Sequence, residues 1–378
     1  MGLGSRLLAI LCLVLSSLAS AQSKGCAPAV VDFLNPYTRA MVRFSELKQL
    51  RVMTWNVRNL YTTVGRYERQ VTGMVKLTDK RAPLKSWESM RGLQNTIRSA
   101  DPDVLVLQEV ESQISVHNFV YTSLADEYRV FFAPGNDPRG IGIAFLVRKN
   151  LNLTFELRIN AHEMWVDPAK KSGLEPVPVF ARDFPVLIAR NPNPIEHNNP
   201  VFAIAGVHFK AMNSRPGDPN SEAWVKAEAE RATVIVNRLR KEFGDSLPLL
   251  VAGDFNRDPA DHQAIRALIA DAGLVDSLDL AGVAPHSDSR TTFTVHSHSA
   301  TGKPEVKKLQ LDGVFMSRSL QEAFVESGVP PLRDPKNLEL PVPETKAQRE
   351  SYASDHRPVL LVLDVVRMLE SGGHLPAP

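Results

Sequence analysis

The chain has 378 residues with 44 Lys+Arg against 42 Asp+Glu, a formal charge of +2; 43% of residues are hydrophobic and 23% charged. That balance belongs to an ordinary folded chain and excludes a disordered tail, a collagen and a multi-span membrane protein. A near-neutral total also means that any polyanionic partner must be held by a local basic patch and not by a global field.

Residues 1–21 read as an export signal. Arg6 gives a short positive start, Leu7 to Leu15 is an apolar run interrupted only by Cys12, and Ala19-Ser20-Ala21 is a small-x-small cleavage site. The mature chain is then expected to begin at Gln22 and to be secreted or periplasmic. The run is too short for a membrane span, and no later segment reaches that length. Cys26 is left as the only mature cysteine, which excludes an internal disulfide and a multi-cysteine zinc site. Residues 22–48 read as a polar lead-in, 49–366 as one domain and 367–378 as a tail.

Along the domain, Leu50–Val57 reads as a strand, and Asp103–Val110 as a central strand covered on both faces. Ile141–Val147 and Val201–Phe209 are further strands. Glu222–Phe243 reads as a helix ended by Gly244. Leu247–Ala252, Leu309–Met316 and Pro358–Val365 complete the strands, and Gln263–Asp271 is a second, short helix. Strands and helices are mixed throughout, which is α/β with one large core. There is no repeat of solenoid length.

Polar clusters stand at the ends of these apolar runs: Asn56 in T-W-N-V-R-N, Glu109 in L-Q-E-V-E, His208 in G-V-H-F-K, Asp254 and Asn256 in G-D-F-N, and Asp355-His356 in S-D-H-R-P-V, preceded by Asp312 in L-D-G-V-F. Strand ends are where α/β folds collect their sites. Carboxylates, amides and histidines together suit hydrolysis of a phosphate ester, which needs an activated water, a charge clamp and a proton or metal at the leaving oxygen. Glu109 and Asp355 offer the oxygen ligands that hard cations take. A histidine beside a carboxylate, as His356 with Asp312 would be, has a fixed tautomer and a raised pKa. Taken singly, each piece is equally a solvated strand end or an Asx turn; their order along the chain is what carries weight.

In that order, T-W-N at 54–56, L-Q-E at 107–109, V-H-F-K at 207–210, G-D-F-N at 253–256, L-D at 311–312 and S-D-H-R-P at 354–358, the sequence resembles the endonuclease/exonuclease/phosphatase superfamily with its deoxyribonuclease-I-like fold. The resemblance covers about residues 49–366. It implies a four-layer sandwich of two packed mixed sheets flanked by helices, with a divalent-metal phosphoesterase site at their shared edge. By the same resemblance Glu109, with Asn56 beside it and Asp355 assisting, would hold Mg²⁺, or Mn²⁺ or Ca²⁺. Asp254 would activate water, Asn256 would contact the phosphate, and His356, oriented by Asp312, would bind phosphate or move a proton. His208 would bind phosphate or protonate the leaving oxygen. G-N-D-P-R-G-I-G-I-A at 135–144 is similar to a segment of bacterial secreted members in which an arginine reaches the site, so Arg139 joins the substrate-binding set, with Arg182 and Lys210.

The substrate is less sharply marked. An insertion carries Arg66, Arg69, Lys76, Lys80, Arg81, Lys85 and Arg91 with Tyr67 and Trp87 interleaved, a pattern that suits a nucleic-acid backbone and equally a solvated loop. Lys307 and Lys308 would extend that patch. No long apolar hairpin is evident that would dock on lipid. The expectation is a secreted metal-dependent nuclease acting on DNA and possibly RNA. A phosphodiesterase or phosphatase for lipid or small phosphoesters, of sphingomyelinase or inositol-phosphatase type, stands second. An inactive binding relative stands third.

Overall fold

The computed structural model describes residues 41–62, 70–71, 74–75, 84–169, 175–192, 200–299, 301 and 303–373. The export signal, most of the lead-in, and Arg66, Tyr67, Arg69, Lys76, Lys80 and Arg81 of the basic insertion lie outside the described residues. In Gln49–Leu60 (β1), Val52 and Thr54 point to one face and Met53 and Trp55 to the other, and all four are buried. A strand buried on both faces must be covered twice, by a sheet on one side and helices on the other. That requirement sets the architecture.

The first sheet is built from β1, Val104–Val110 (β2), Tyr128–Ala133 (β3), Gly142–Arg148 (β4), Phe324–Gly328 (β11) and Val359–Asp364 (β12), in the order β11-β12-β1-β2-β4-β3. The second is built from Thr154–Arg158 (β5), Val186–Arg190 (β6), Phe202–His208 (β7), Leu249–Asp254 (β8), Leu274–Asp276 (β9) and Asp312–Ser317 (β10), in the order β9-β10-β8-β7-β6-β5. Each sheet has a central parallel pair, β1 with β2 and β7 with β8, and antiparallel neighbours on either side.

The inner faces meet through Val52, Val106 and Phe145 on one side and Ile204, Leu250 and Val314 on the other. Gly206 permits the approach: a Cβ there would lie 2.8 Å from Ile143 and 3.0 Å from the Phe145 ring of the facing sheet. Outside the first sheet, Trp87–Ala100 (α1) and Gln113–Ser123 (α2) pack Leu93, Ile97, Val116 and Phe119 onto Met53, Trp55 and Leu105. Outside the second, Glu222–Phe243 (α3) and Gln263–Asp271 (α4) cover Leu249, Val251 and Phe315. The buried positions of α3, Val225, Ala229, Ala232, Val236 and Leu239, recur at helical spacing and form one stripe. The expected four-layer α/β sandwich is therefore the fold.

Both long-run helix expectations, Glu222–Phe243 and Gln263–Asp271, coincide with α3 and α4. The domain limits need correction. Phe44 lies in the sandwich core, and Val365–Ser371 (α5) buries Val365, Met368 and Leu369 there, so the folded unit begins before 49 and runs past 366. Among the described residues no helix is long and apolar enough to cross a membrane.

Candidate active site

The site begins as a register. His208 pairs with Asp254 across β7 and β8, and Asp254 pairs with Asp312 across β8 and β10, so three polar side chains stand side by side on the inner face. One step further in on each strand the inner positions are Gly206, Ala252 and Val314. The apolar ladder thus ends in a polar row where the two sheets meet. Gly253, with φ at 155°, is required between them, because a Cβ there would collide with the Val207 carbonyl. From the facing sheet, Asn56 reaches across and donates its Nδ2 to Asp254 Oδ2 at 3.0 Å.

Asp254 is the hub. Its Oδ1 accepts from Asn256 N at 2.8 Å, and its Oδ2 also faces Asn256 Nδ2 at 3.3 Å, His208 Nε2 at 3.7 Å and His356 Nε2 at 3.9 Å. Burial, helped by neighbouring Asp312, raises its pKa above the ordinary carboxylate range, against the pull of His356. His356 sits on the loop before β12. Ser354 pins that loop: its hydroxyl donates to the Asn56 carbonyl at 2.6 Å and accepts from His356 N at 3.1 Å. Trp55 Nε1 donates to the His356 carbonyl at 2.9 Å, tying the loop to the outer layer. His356 Nδ1 lies 2.7 Å from Asp312 Oδ2. Burial alone would lower its pKa, but Asp312 and then Asp254 outweigh this and raise it to about 10. His356 thus has a carboxylate partner at Nδ1 and a pKa raised above its ordinary value. His208 behaves oppositely: burial, then Arg182 and Arg139, hold it well below 6.5, so at neutral pH it is not a standing cation.

Glu109 reaches the same cleft by a backbone distortion. It has φ at 61°, and the β1–β2 register slips between Asn56 and Leu60, where Arg58 and Asn59 also take left-handed φ of 47° and 54°. Non-glycine residues in that conformation are strained and concentrate at functional sites. Glu109 Oε2 accepts from Asn59 N at 3.0 Å, while Oε1 turns to Arg139 Nη1 at 3.9 Å. Arg139, Arg182 and Lys210 wall the cleft, which has a volume of about 370 Å³. Arg182 is almost fully buried, with Nη1 donating to the Phe209 carbonyl at 2.9 Å. The Asn256 amide is held by that same carbonyl at 2.9 Å.

Of the expected residues, Asn56, Glu109, Arg139, Arg182, His208, Lys210, Asp254, Asn256 and His356 line this one cleft, and Asp312 stands behind His356. Asp355 is the exception. It is not among the lining residues, and its carboxylate faces Arg58 at 4.0 Å, because adjacent residues of the loop point to different sides. Lys307 and Lys308 do not extend a free patch either: Lys307 lies 3.6 Å from Asp261, and Lys308 is paired with Asp288. Of the basic insertion, Trp87 is 70% exposed with the Arg91 guanidinium over its ring at 5.9 Å. Asp137 lines the cleft and was absent from the expected set; the N-D-P-R run marks it as a turn residue only.

Two buried acids brace the wall. Glu228 on α3 accepts from Ala181 N at 3.1 Å and Lys210 N at 2.7 Å, and Asp183 accepts from Asn160 N at 2.8 Å. Burial raises both carboxyls to about 7, from ordinary values of 4.5 and 3.8. Between those values the folded chain binds more protons than the unfolded one, so stability falls as pH rises. The expected contribution of these two acids is a decline in Tm from about pH 4 to about pH 7; scanning calorimetry in which Glu228→Gln and Asp183→Asn leave the slope over that interval unchanged would contradict it.

Three buried groups, Asp254, Asp312 and His356, each offer a ligand atom within 4.8 Å of the others. A second such set, Asp258, Asp261 and His286, lies nearer the surface. A model of the Endonuclease/Exonuclease/phosphatase family matches residues 53–356. Among solved structures the chain is similar to TDP2 from C. elegans, at 14% identity and a TM-score of 0.51, over 84% of this chain and 75% of that one. It is also similar to the human Nocturnin catalytic domain with bound sulfate anion, at 19% identity and a TM-score of 0.50, over 86% of this chain and 96% of that one. At such identities the likeness speaks for the fold alone. No curated protein sequence matches the chain.

Proposed function

Because the chain belongs to the Endonuclease/Exonuclease/phosphatase family, we propose that it is a divalent-cation-dependent phosphodiesterase that cuts nucleic acid, DNA first and RNA second. The observation that carries this reading is the gathering of these groups in one cleft: His356, paired with Asp312, and buried Asp254 on the floor, Glu109 opposite, and Arg139, Arg182 and Lys210 as the wall. A phosphodiester entering the cleft meets donors for its non-bridging oxygens from the wall and from His356, and charge-assisted bonds of this kind are the strong ones. Asp254, with its raised pKa, orients a water and accepts its proton as attack begins. His208 supplies a neutral N–H beside it.

The cation fits Glu109 and Asn56 better than the buried set. Glu109 Oε1 opens toward the cleft, and carboxylate and amide oxygens are what Mg²⁺ or Mn²⁺ prefers. Asp312 and His356 are already paired with each other across 2.7 Å. When bound, the cation supplies Lewis-acid stabilisation of charge on a phosphoryl oxygen. Nucleic acid is supported over lipid by the cationic wall, by exposed Trp87 with Arg91, and by the hairpin of Phe293–His298 and Pro304–Leu309. That hairpin carries His296, His298, Glu305, Lys307 and Lys308 and so offers no apolar face for a bilayer. The apolar run in 1–21 supports an exported enzyme.

The test is a gel assay with plasmid, linear DNA and RNA beside a sphingomyelin control, with Mg²⁺ and with EDTA. Cleavage of DNA that EDTA abolishes is expected. Full activity in EDTA sinks the cation assignment, and turnover of sphingomyelin alone sinks the nucleic-acid assignment.

A further inference from the structure

Asp137 lies outside the motifs that mark the site, yet it stands in the cleft wall with 9% of its surface exposed. Its Oδ1 accepts from the Arg139 backbone N–H at 2.8 Å and from Arg139 Nε at 3.2 Å. Its Oδ2 accepts from Arg139 Nη2 at 3.2 Å and from Arg182 Nε at 2.9 Å. One carboxylate thus binds two guanidinium groups. The remaining Arg139 nitrogen, Nη1, is 3.9 Å from Glu109 Oε1. Arg139 therefore stands between two carboxylates and is tied to one of them.

The two residues differ in their freedom. Arg182 is fixed independently of Asp137, through the Phe209 carbonyl at 2.9 Å and through its backbone, which passes 2.5 Å from where a Cβ on Gly135 would lie. Asn136 Nδ2 locks the same loop to the Ala161 and Phe180 carbonyls at 2.8 and 3.0 Å. The Arg139 side chain is 46% exposed, and among the described residues Asp137 alone holds its guanidinium back. Guanidinium and carboxylate pair readily in a bidentate fork. Freed from Asp137, Arg139 has Glu109 as its next partner.

We propose that Asp137 is a positioning residue that keeps Arg139 from closing on Glu109, and so keeps the Glu109 carboxylate open to a divalent cation. The proposal rests on the reading of Glu109 as the cation site. Asp137 acts through Arg139, touching neither cation nor substrate. It also turns a potential competitor into part of the phosphate wall: the guanidinium stays near Glu109 without capping it.

Calorimetric titration of the full chain with Mn²⁺ alone tests this without turnover. Asp137→Asn should weaken Mn²⁺ binding by about tenfold or more, the usual cost of losing a group that orients a metal ligand. Asp137→Glu, which keeps the charge, should stay close to the parent. The double variant Asp137→Asn/Arg139→Gln should regain parental affinity, whereas Asp137→Asn/Lys210→Gln, with the same net charge, should not. Equal Mn²⁺ affinity in Asp137→Asn and the parent overturns the proposal. So does recovery in the Lys210 double variant, which would mean a diffuse field, or failure to recover in the Arg139 double variant, which would mean a distorted site. A parent chain that binds no Mn²⁺ sinks the cation reading itself and this proposal with it.

Discussion

Exchanging Asp254 for Asn is expected to lower kcat by about 10²- to 10⁴-fold, the range for a lost general acid–base group. Asn has nearly the same volume, so the side chain still fits at 1% exposure, and its carbonyl can still accept from Asn256 N. What it loses is the ability to take a proton. Its NH₂ also meets the Asn56 and Asn256 amides, which now donate to Asp254 Oδ2 at 3.0 and 3.3 Å. Leaving buried donors unpaired costs about 1–3 kcal/mol, enough to lower Tm without unfolding the sandwich, and the gain from no longer burying a charge offsets part of it. Mn²⁺ should still bind through Glu109 Oε1, with a modest loss of affinity because the Asn56 amide loses its acceptor at 3.0 Å. Rates at saturating substrate, with circular dichroism to check the fold, decide the matter; a kcat within twofold of the parent removes Asp254 from the chemistry.

How far the sequence could foresee such a site depends on which residues obey the strand period. His208, Asp254 and Asp312 each end or begin an apolar run and keep its alternation, so their clustering at one sheet edge is readable from spacing, and the structure sets them in register. Helix Glu222–Phe243 was equally legible, because its stripe recurs at helical spacing and Gly244 stops it. Glu109 breaks the rule. With Val104 and Val106 facing inward, the period of two would send Glu109 outward with Leu105 and Leu107; only its left-handed φ and the slipped register bring it to the cleft.

Asp355 differs again: it is adjacent to His356 in the chain, and its carboxylate faces Arg58 at 4.0 Å. Asp137 acts on Arg182, 45 residues away in sequence, through one carboxylate oxygen, and nothing in either local run announces the pair. Helix α1 was hidden for another cause. Its start carries Trp87 and, one turn on, Arg91 and reads as the end of a basic insertion, while the packing side chains Leu93 and Ile97 come only later.

The second large effect is expected at Asp312, which touches no substrate and works through His356. Asp312→Asn should lower kcat by about 10²- to 10³-fold at neutral pH, comparable to losing a group that stabilises transition-state charge. The reason lies in what keeps His356 protonated. Burial opposes its charge, and Asp312 at 2.7 Å is the leading influence that overcomes this and raises the pKa to about 10. Without that carboxylate, burial is opposed only by the more distant Asp254 and Asp355, and the pKa of the imidazole should fall. The parent should therefore keep the His356-dependent part of its activity up to about pH 9, whereas the variant should lose it at a lower pH.

Stability gives an independent readout with a definite sign. In the parent, His356 binds its proton more tightly folded than unfolded, so its contribution is fully present below 6.5 and is lost as pH rises through about 10. In Asp312→Asn that decline between 6.5 and 10 should flatten. Trp55 and Ser354 hold the His356 loop by backbone contacts that the substitution leaves alone, so the ring should stay near its place while its charge is gone. Activity and Tm measured across that pH range in parallel separate charge from position: a variant with the parent's pH profile in both would show that Asp312 does not govern His356, and the raised pKa would have to come from Asp254 and Asp355.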